Sequence, residues 1–159
     1  MTEFAAGFTI TRRRHSQCQS LRLKPTTFKR FVTNDPLELG LSALKFKREL
    51  VSADGRERFL LDIWCSGARL GKYTFQNRAR VIIILVRVDV GDTLEHTNPD
   101  GVQVSGAHIH IYREGYDVKF AFPLNTYPFG DPTDMVRTFE DFANFCHIET
   151  LPPIARRLI

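Results

Sequence analysis

The sequence predicts an α+β fold, in which a mostly antiparallel sheet of five to seven strands carries one C-terminal helix packed on it. Three observations predict it. Apolar and polar residues alternate with period two in short segments between residues 43 and 123, and turn-forming residues separate these segments. Residues 131–146 instead have apolar side chains at helical spacing. The 159 residues, 43% hydrophobic and 25% charged, suit one domain that spans 1–159.

The first half of the chain predicts a short helix followed by strands. Pro25 opens a segment that could form one or two helical turns over 25–31. Residues 43–50 and 58–65 alternate on either side of a turn at 52–55, which predicts a hairpin. Residues 72–76 follow as a further strand, and the β-branched run 80–90 predicts a central strand.

The second half predicts another hairpin and the helix. After a polar loop over 91–106, residues 107–113 alternate strictly, 114–117 turn the chain, and 118–123 return. Asp131 is the predicted N-cap and Pro132 the first helical residue. Met135, Phe139 and Phe142 then form one apolar stripe, which we expect to pack on the sheet.

The net charge of +4 is distributed unevenly, because residues 1–34 form a basic N-terminal arm. No acidic residue occurs from Phe4 to Asn34, and the seven basic residues there leave 15 basic and 18 acidic residues elsewhere, a net charge of −3. These seven are Arg12, Arg13, Arg14, Arg22, Lys24, Lys29 and Arg30. Such an arm suits a nucleic-acid backbone, although an acidic partner such as an antitoxin, or the acidic body itself, would also fit.

Features of secreted and membrane proteins are missing from the sequence. The longest apolar run, Val81–Val86, is far shorter than the roughly 20 residues that cross a bilayer. Three cysteines without a CxxC spacing predict neither a disulfide framework nor a zinc knuckle. We therefore expect a cytoplasmic protein that has no membrane partner.

The segment with the clearest chemical potential is AHIHIYR, residues 107–113. On a strand His108, His110 and Tyr112 share one face, and Ile109 and Ile111 share the other. A histidine pair can act as general base and general acid, because its ordinary pKa lies near neutrality. A metal site and a hydrogen-bonded structural pair remain alternatives.

Basic residues on the neighbouring strands could complete a catalytic site. Arg87 interrupts an apolar strand, so it either forms an ion pair with Asp89 or Asp62 or holds a phosphate. Arg78 and Lys72 carry the same two interpretations. Two histidines with Tyr112 and arginines suit RNA cleavage without a metal or small-molecule cofactor. A zinc site formed by His96, His108 and His110 is the chemical alternative.

The residues 72–78, 86–89, 96–101 and 108–116, with the HxHIYREGY motif in the last segment, resemble a small bacterial and prophage protein family of unknown activity. More distantly, residues 73–146 resemble TumE-like toxins of toxin–antitoxin systems. The first resemblance implies a bacterial or phage origin, and the second implies a toxin with a cognate antitoxin. Residues 1–34 belong to neither pattern.

We therefore expect an RNase-like toxin or related nuclease that binds RNA through the basic arm and Lys72. His108, His110, Arg87, Arg78 and Tyr112 are its candidate catalytic residues. The alternative is a non-enzymatic, anti-CRISPR-like phage or prophage protein that binds and inhibits a host defence nucleoprotein complex. The sequence has no nucleotide-binding glycine loop, HExxH or GxSxG motif that would favour another class of enzyme.

Overall fold

The computed structural model of the chain describes residues 9–11, 22–24, 28–40, 44–66 and 71–157. Its strands are β1 (Thr9–Thr11), β2 (Arg22–Lys24), β3 (Lys29–Phe31), β4 (Leu37–Gly40), β5 (Leu44–Ser52), β6 (Arg58–Cys65), β7 (Tyr73–Ala79), β8 (Ile83–Val90), β9 (Glu95–Thr97), β10 (Gln103–Ser105), β11 (His108–Ile111), β12 (Ala121–Pro123), β13 (Ile148–Glu149) and β14 (Ile154–Arg157). A 3₁₀ turn spans Leu124–Thr126, and the helix α1 spans Met135–Phe145.

The main sheet has eight strands in the order β12–β11–β8–β7–β6–β5–β3–β13. All neighbours in it are antiparallel except β3 and β13, so the predicted α+β, mostly antiparallel class is confirmed. Three strand pairs lie outside it: β1 with β2, β9 with β10, and β4 with β14. Both predicted hairpins, β5–β6 and β11–β12, are present.

The hydrophobic core lies between one face of the sheet and α1. Alternate residues of β6, β7 and β8 point into it, as period-two patterning requires. At its centre the ring of Phe75 contacts those of Phe139 and Phe142, with centroids 5.3 Å and 5.7 Å apart. The predicted packing of the helix stripe on the sheet is therefore confirmed. The residues that alternate with the buried ones form the opposite face, which we call the polar face.

Two predictions about the sheet and the N-terminus are wrong. The sheet has eight strands rather than five to seven, because β3 and β13 extend it beyond β5. No N-terminal helix is described: Lys29–Phe31 is strand β3, and residues 25–27 lie outside the described ranges. Pairing with both β5 and β13 satisfies the backbone groups of β3, which outweighs the local helical signal of Pro25.

Two element boundaries also differ from those predicted. The N-cap of α1 is Asp134 rather than Asp131, and its side chain accepts hydrogen bonds from the backbone N–H groups of Val136 and Arg137. The side chain of Asp131 instead accepts a hydrogen bond from the backbone N–H of Thr133, in the turn that precedes the helix. The central strand begins at Ile83 rather than Arg80, because a turn with positive φ at residues 80 and 81 precedes it.

The predicted polar loop over 91–106 contains a small hairpin, β9–β10, which is anchored to the edge of the main sheet. The side chain of Asn98 donates to the carbonyl of Ala121 at 3.0 Å and accepts from its N–H at 2.7 Å. These two bonds resemble those that the backbone of a neighbouring strand would form with Ala121. It holds His96, in β9, beside the end of the sheet that carries β11.

Candidate functional site

The register of β8 and β11 brings four polar side chains together on the polar face. His108 lies opposite Asp89, and His110 lies opposite Arg87. Because Ile109 between the histidines faces the core, both imidazoles project to the other side. The prediction that the two histidines share one face is confirmed, and the structure adds Asp89, which we had considered only as an ion-pair partner.

The side chains of Arg87, Asp89, His108 and His110 contact one another. We call these four residues, together with His96, the histidine cluster. Arg87 Nε donates to Asp89 Oδ2 at 2.6 Å, and Arg87 Nη2 lies 3.2 Å from His110 Nε2. The Nε2 atoms of His108 and His110 lie 3.8 Å and 3.5 Å from the same Asp89 oxygen. Thr74 Oγ1 donates to the other oxygen of Asp89 at 2.7 Å.

Each histidine of the cluster donates one ring N–H to a backbone carbonyl. His108 Nδ1 bonds the oxygen of Gly106 at 2.7 Å, and His110 Nδ1 bonds that of Val118 at 2.9 Å. His96 Nε2 bonds the oxygen of Lys119 at 2.8 Å. A carbonyl can only accept, so these three nitrogens carry the hydrogen. In the neutral rings the other nitrogens therefore carry lone pairs, and for His108 and His110 these lone pairs belong to the Nε2 atoms beside Asp89.

His96 is the histidine of the cluster that reaches solvent. Its ring centroid lies 4.8 Å from that of His110 and 6.0 Å from that of His108. His108 is only 4% exposed and His110 only 1%, whereas His96 is half-buried. A substrate would therefore meet His96 before the other two histidines.

The surroundings shift the pKa values of two members of the cluster, Asp89 and His108. Burial would raise the pKa of Asp89, but the interactions with His110 and with the positive charge of Arg87 outweigh it, so this pKa lies well below its usual range. Burial lowers the pKa of His108, and His110 and His96 act in the same direction. Near neutrality Asp89 is thus a carboxylate beside a neutral His108.

Comparison with known proteins places this site within a family. A family model, described as a family of unknown function (DUF6978), matches residues 26–148, most of the chain. The chain belongs to the DUF6978 family. Comparisons with curated proteins and with solved structures gave no match. The DUF6978 segment contains the whole histidine cluster, and it leaves most of the basic arm outside.

Outside the cluster, the structure separates the other predicted catalytic residues from the histidines. Arg78 binds Asp62 through two bonds, Nε at 2.5 Å and Nη2 at 2.8 Å, so the ion-pair interpretation fits it. Tyr112 follows the last residue of β11, and in the described part of the chain neither it nor Lys72 hydrogen-bonds to the cluster. Of the two arginines predicted to be catalytic, Arg87 is the one that contacts a histidine of the cluster.

For the basic arm, the assignment of Lys29 to a nucleic-acid surface is wrong. Lys29 is 1% exposed, and its Nζ donates to the carbonyl oxygen of Cys146, the C-cap of α1, at 2.8 Å. It is buried because β3 runs beside the end of the helix. Arg30, the next residue, is exposed. Arg12, Arg13 and Arg14 lie outside the described residues, as do the side chains of Arg22 and Lys24.

A groove next to the cluster was not predicted. It has a volume of about 540 Å³ and is lined in part by Lys45, Lys47, Trp64, Thr74 and Gln76. The alternation of β5 and β6 contained the signal, since it puts the two lysines and Trp64 on one face. Among the described residues no helix is long and apolar enough to span a membrane.

Pairing across five strands joins the groove to the histidine cluster. One cross-strand row runs Lys45, Trp64, Thr74, Asp89, His108, and the next runs Lys47, Asp62, Gln76, Arg87, His110. Neighbouring strands lie about 4.8 Å apart, so four steps cover roughly 19 Å. The lysines and the histidines are therefore the two ends of one continuous polar surface.

Proposed function

We propose that this DUF6978 protein cleaves RNA, with the histidine cluster as its reaction centre. The observation that carries the proposal is the convergence of three histidines with Asp89 and Arg87 at one end of the polar face. RNA cleavage needs a base for the 2′-OH proton, an acid for the leaving 5′-oxygen and a cation beside the phosphorane. The cluster contains all three kinds of group.

The accessibility of the side chains decides how we distribute these roles. His96 is the half-buried histidine, so we assign both proton transfers to it. It would take the 2′-OH proton as the 2′-oxygen bonds to phosphorus, and give that proton to the 5′-oxygen as its bond to phosphorus breaks. The expected direct roles of His108 and His110 conflict with their burial, and we place them behind His96, where they contact Asp89 and Arg87. Arg87 is 33% exposed and has N–H groups beyond those that bond Asp89 and His110, so it can still stabilise a phosphate.

The groove supplies a binding surface for single-stranded RNA. Lys45 and Lys47 are exposed and suit two phosphates, and Trp64, 39% exposed, offers a ring on which a base can stack. A duplex keeps its bases stacked on each other, so this combination favours a single strand. Arg30, which the structure leaves exposed, and the arginines before it would extend the surface.

The biological setting follows from the resemblance to TumE-like toxins. We propose a toxin that acts on RNA in the bacterial cytoplasm and is held inactive by a cognate antitoxin. An antitoxin that inhibits cleavage would cover His96, the histidine of the centre that a substrate meets first.

The test uses the full chain and a short labelled single-stranded RNA. Wild type should yield cleavage products, and His96→Ala should cleave roughly 10²–10⁴-fold more slowly, the usual contribution of one acid–base group. His147→Asn is the matched control, because His147 lies beyond α1 and its positive φ suits asparagine. It should cleave like wild type. Equal rates for wild type and His96→Ala would refute the proposal.

The burial of His108 and His110 also favours a second candidate, a non-enzymatic protein that binds a host nucleoprotein complex through the polar face. The same assay separates the two. Saturable binding of RNA or nucleoprotein by the wild type, without any product, would support the binder and reject the nuclease.

A further inference from the structure

We propose that Asp89, His108 and His110 form a binding site for one divalent transition-metal ion of the zinc type. One ligand atom from each residue lies within 4.8 Å of the other two. The zinc set considered from sequence contained His96 in place of Asp89. The register of β8 and β11 is what brings the carboxylate into the set.

The distances between the ligand atoms are close to those that an ion requires. Zinc binds nitrogen and oxygen at about 2.0–2.2 Å, so two ligands of a tetrahedral site lie about 3.3 Å apart. The two Nε2 atoms lie 3.5 Å and 3.8 Å from Asp89 Oδ2. All three ligand atoms lie within 4.8 Å of one another, so the two imidazole rings would also move toward each other when the ion binds.

The outer hydrogen bonds are those of metal-binding histidines. In such sites the nitrogen that does not bind the metal donates to a carbonyl or carboxylate, which fixes the tautomer and aims the other nitrogen at the ion. His108 and His110 both donate Nδ1–H to backbone carbonyls, and their Nε2 atoms flank Asp89. A neutral imidazole and an ionised carboxylate are the forms that bind metal.

Arg87 is the cation that holds this position in the metal-free protein. It bonds Asp89 Oδ2 and lies against His110 Nε2, the same two atoms that the ion would use. The guanidinium and the metal therefore compete. The side chain of Arg87 is 33% exposed, so it has a path toward solvent when the ion binds.

Three protein ligands leave a fourth position, which in catalytic zinc sites holds a water molecule whose pKa falls to about 7. His96 lies beside this centre and can exchange protons with that water. The resulting hydroxide would take the proton of the RNA 2′-OH, and the 2′-oxygen would bond to phosphorus as the bond from phosphorus to the 5′-oxygen breaks. His96 would then give the proton that it took from the water to the leaving 5′-oxygen. Metal binding stands on geometry alone, and only this use of the ion rests on the proposed function.

The test is titration of EDTA-treated, dialysed full-length protein with ZnCl₂ in a calorimeter. Wild type should bind one Zn²⁺ per chain, and Asp89→Asn should weaken the affinity at least tenfold. Asp62→Asn is the matched control, because Asp62 also pairs with an arginine on the polar face but contacts no histidine among the residues that the structure describes. It should bind like wild type. Arg87→Gln should bind more tightly than wild type, because the competing cation is gone.

Circular dichroism of each variant checks that it is folded. If Asp89→Asn fails to fold, the Co²⁺ spectrum of the wild type decides, since a tetrahedral site gives intense visible bands and their absence overturns the site. No Zn²⁺ binding by wild type, or equal affinities for Asp89→Asn and Asp62→Asn, would also overturn it. One Zn²⁺ per chain without RNA cleavage would support the site and reject the nuclease. Undiminished cleavage by the metal-free protein would remove the ion from the reaction.

Discussion

Replacing Lys29 by methionine tests whether this lysine stabilises the fold or belongs to the proposed RNA-binding surface of the arm. Lys29 Nζ donates to Cys146 O at 2.8 Å in the interior, and the ammonium lies 5.0 Å from the centre of the Phe59 ring. Methionine keeps most of the aliphatic length, so Lys29→Met removes mainly the ammonium and leaves the carbonyl without this donor.

The magnitude follows from that one contact. A hydrogen bond to a charged group contributes about 1.5–3 kcal/mol net. In a chain of this size each kcal/mol shifts the melting temperature by about 2–4 °C, so Lys29→Met should melt about 3–12 °C below wild type. Arg30→Met, one residue away and exposed, should change the free energy of unfolding by less than about 0.5 kcal/mol.

The assays are thermal unfolding and urea unfolding, both followed by circular dichroism, and RNA binding measured at several salt concentrations. Lys29→Met should keep the salt dependence of wild type. Arg30→Met should lower the slope of log affinity against log salt by about 0.7 if Arg30 contacts one phosphate. Wild-type stability for Lys29→Met, together with a reduced slope, would refute the structural role of Lys29.

Four further outcomes test the fold and the groove. Phe75→Ala should lose about 3–5 kcal/mol in urea unfolding, because a fully buried ring at the centre of the core is removed. Asp134→Ala should cost about 1 kcal/mol by the same measurement and Asp131→Ala less, since Asp134 caps α1; the reverse order would restore Asp131 as the cap. Trp64→Ala should weaken binding of single-stranded RNA by about 1–3 kcal/mol in filter binding, and unchanged affinity would remove the stacking role. Burial lowers the pKa of Lys29 below its usual 10.5, so over the pH range between the folded and unfolded pKa values the unfolded chain binds more protons. In urea titrations the stability of wild type relative to Lys29→Met should therefore rise as the pH approaches about 10.5 from neutrality. A fall in this difference would contradict the burial of Lys29.

Much of the fold could be predicted because strand and helix periodicities are local. Residues two apart on a strand share a face wherever the strand lies, so the β5–β6 hairpin and the shared face of His108 and His110 were predicted. Helical spacing predicted the packing stripe of α1 in the same way. The helix start was not, because Asp131 and Asp134 are equally good caps by local chemistry. The hydrogen bond from Tyr73 to the carbonyl of Pro132 belongs to the tertiary structure, and it accompanies the later start.

The candidate site could be predicted only in part, because its members come from separate strands. The local sequence does not predict that Asp89 lies opposite His108, because the register depends on how two distant segments pair. His96 lies near the other histidines because the side chain of Asn98 hydrogen-bonds to the backbone of Ala121 and so holds the β9–β10 hairpin against the sheet.

By itself the sequence of this DUF6978 protein determined its fold class, two of its hairpins and the face on which the histidines lie, because each of these follows from contacts between residues near in the chain. The tertiary structure alone decided that Lys29 belongs to the interior and that Asp89 and Arg87 meet the histidines. These outcomes depend on contacts between residues far apart in sequence. Burial and strand register, which arise only when those segments pack, determine whether a given charged side chain faces solvent, another charged group or the core.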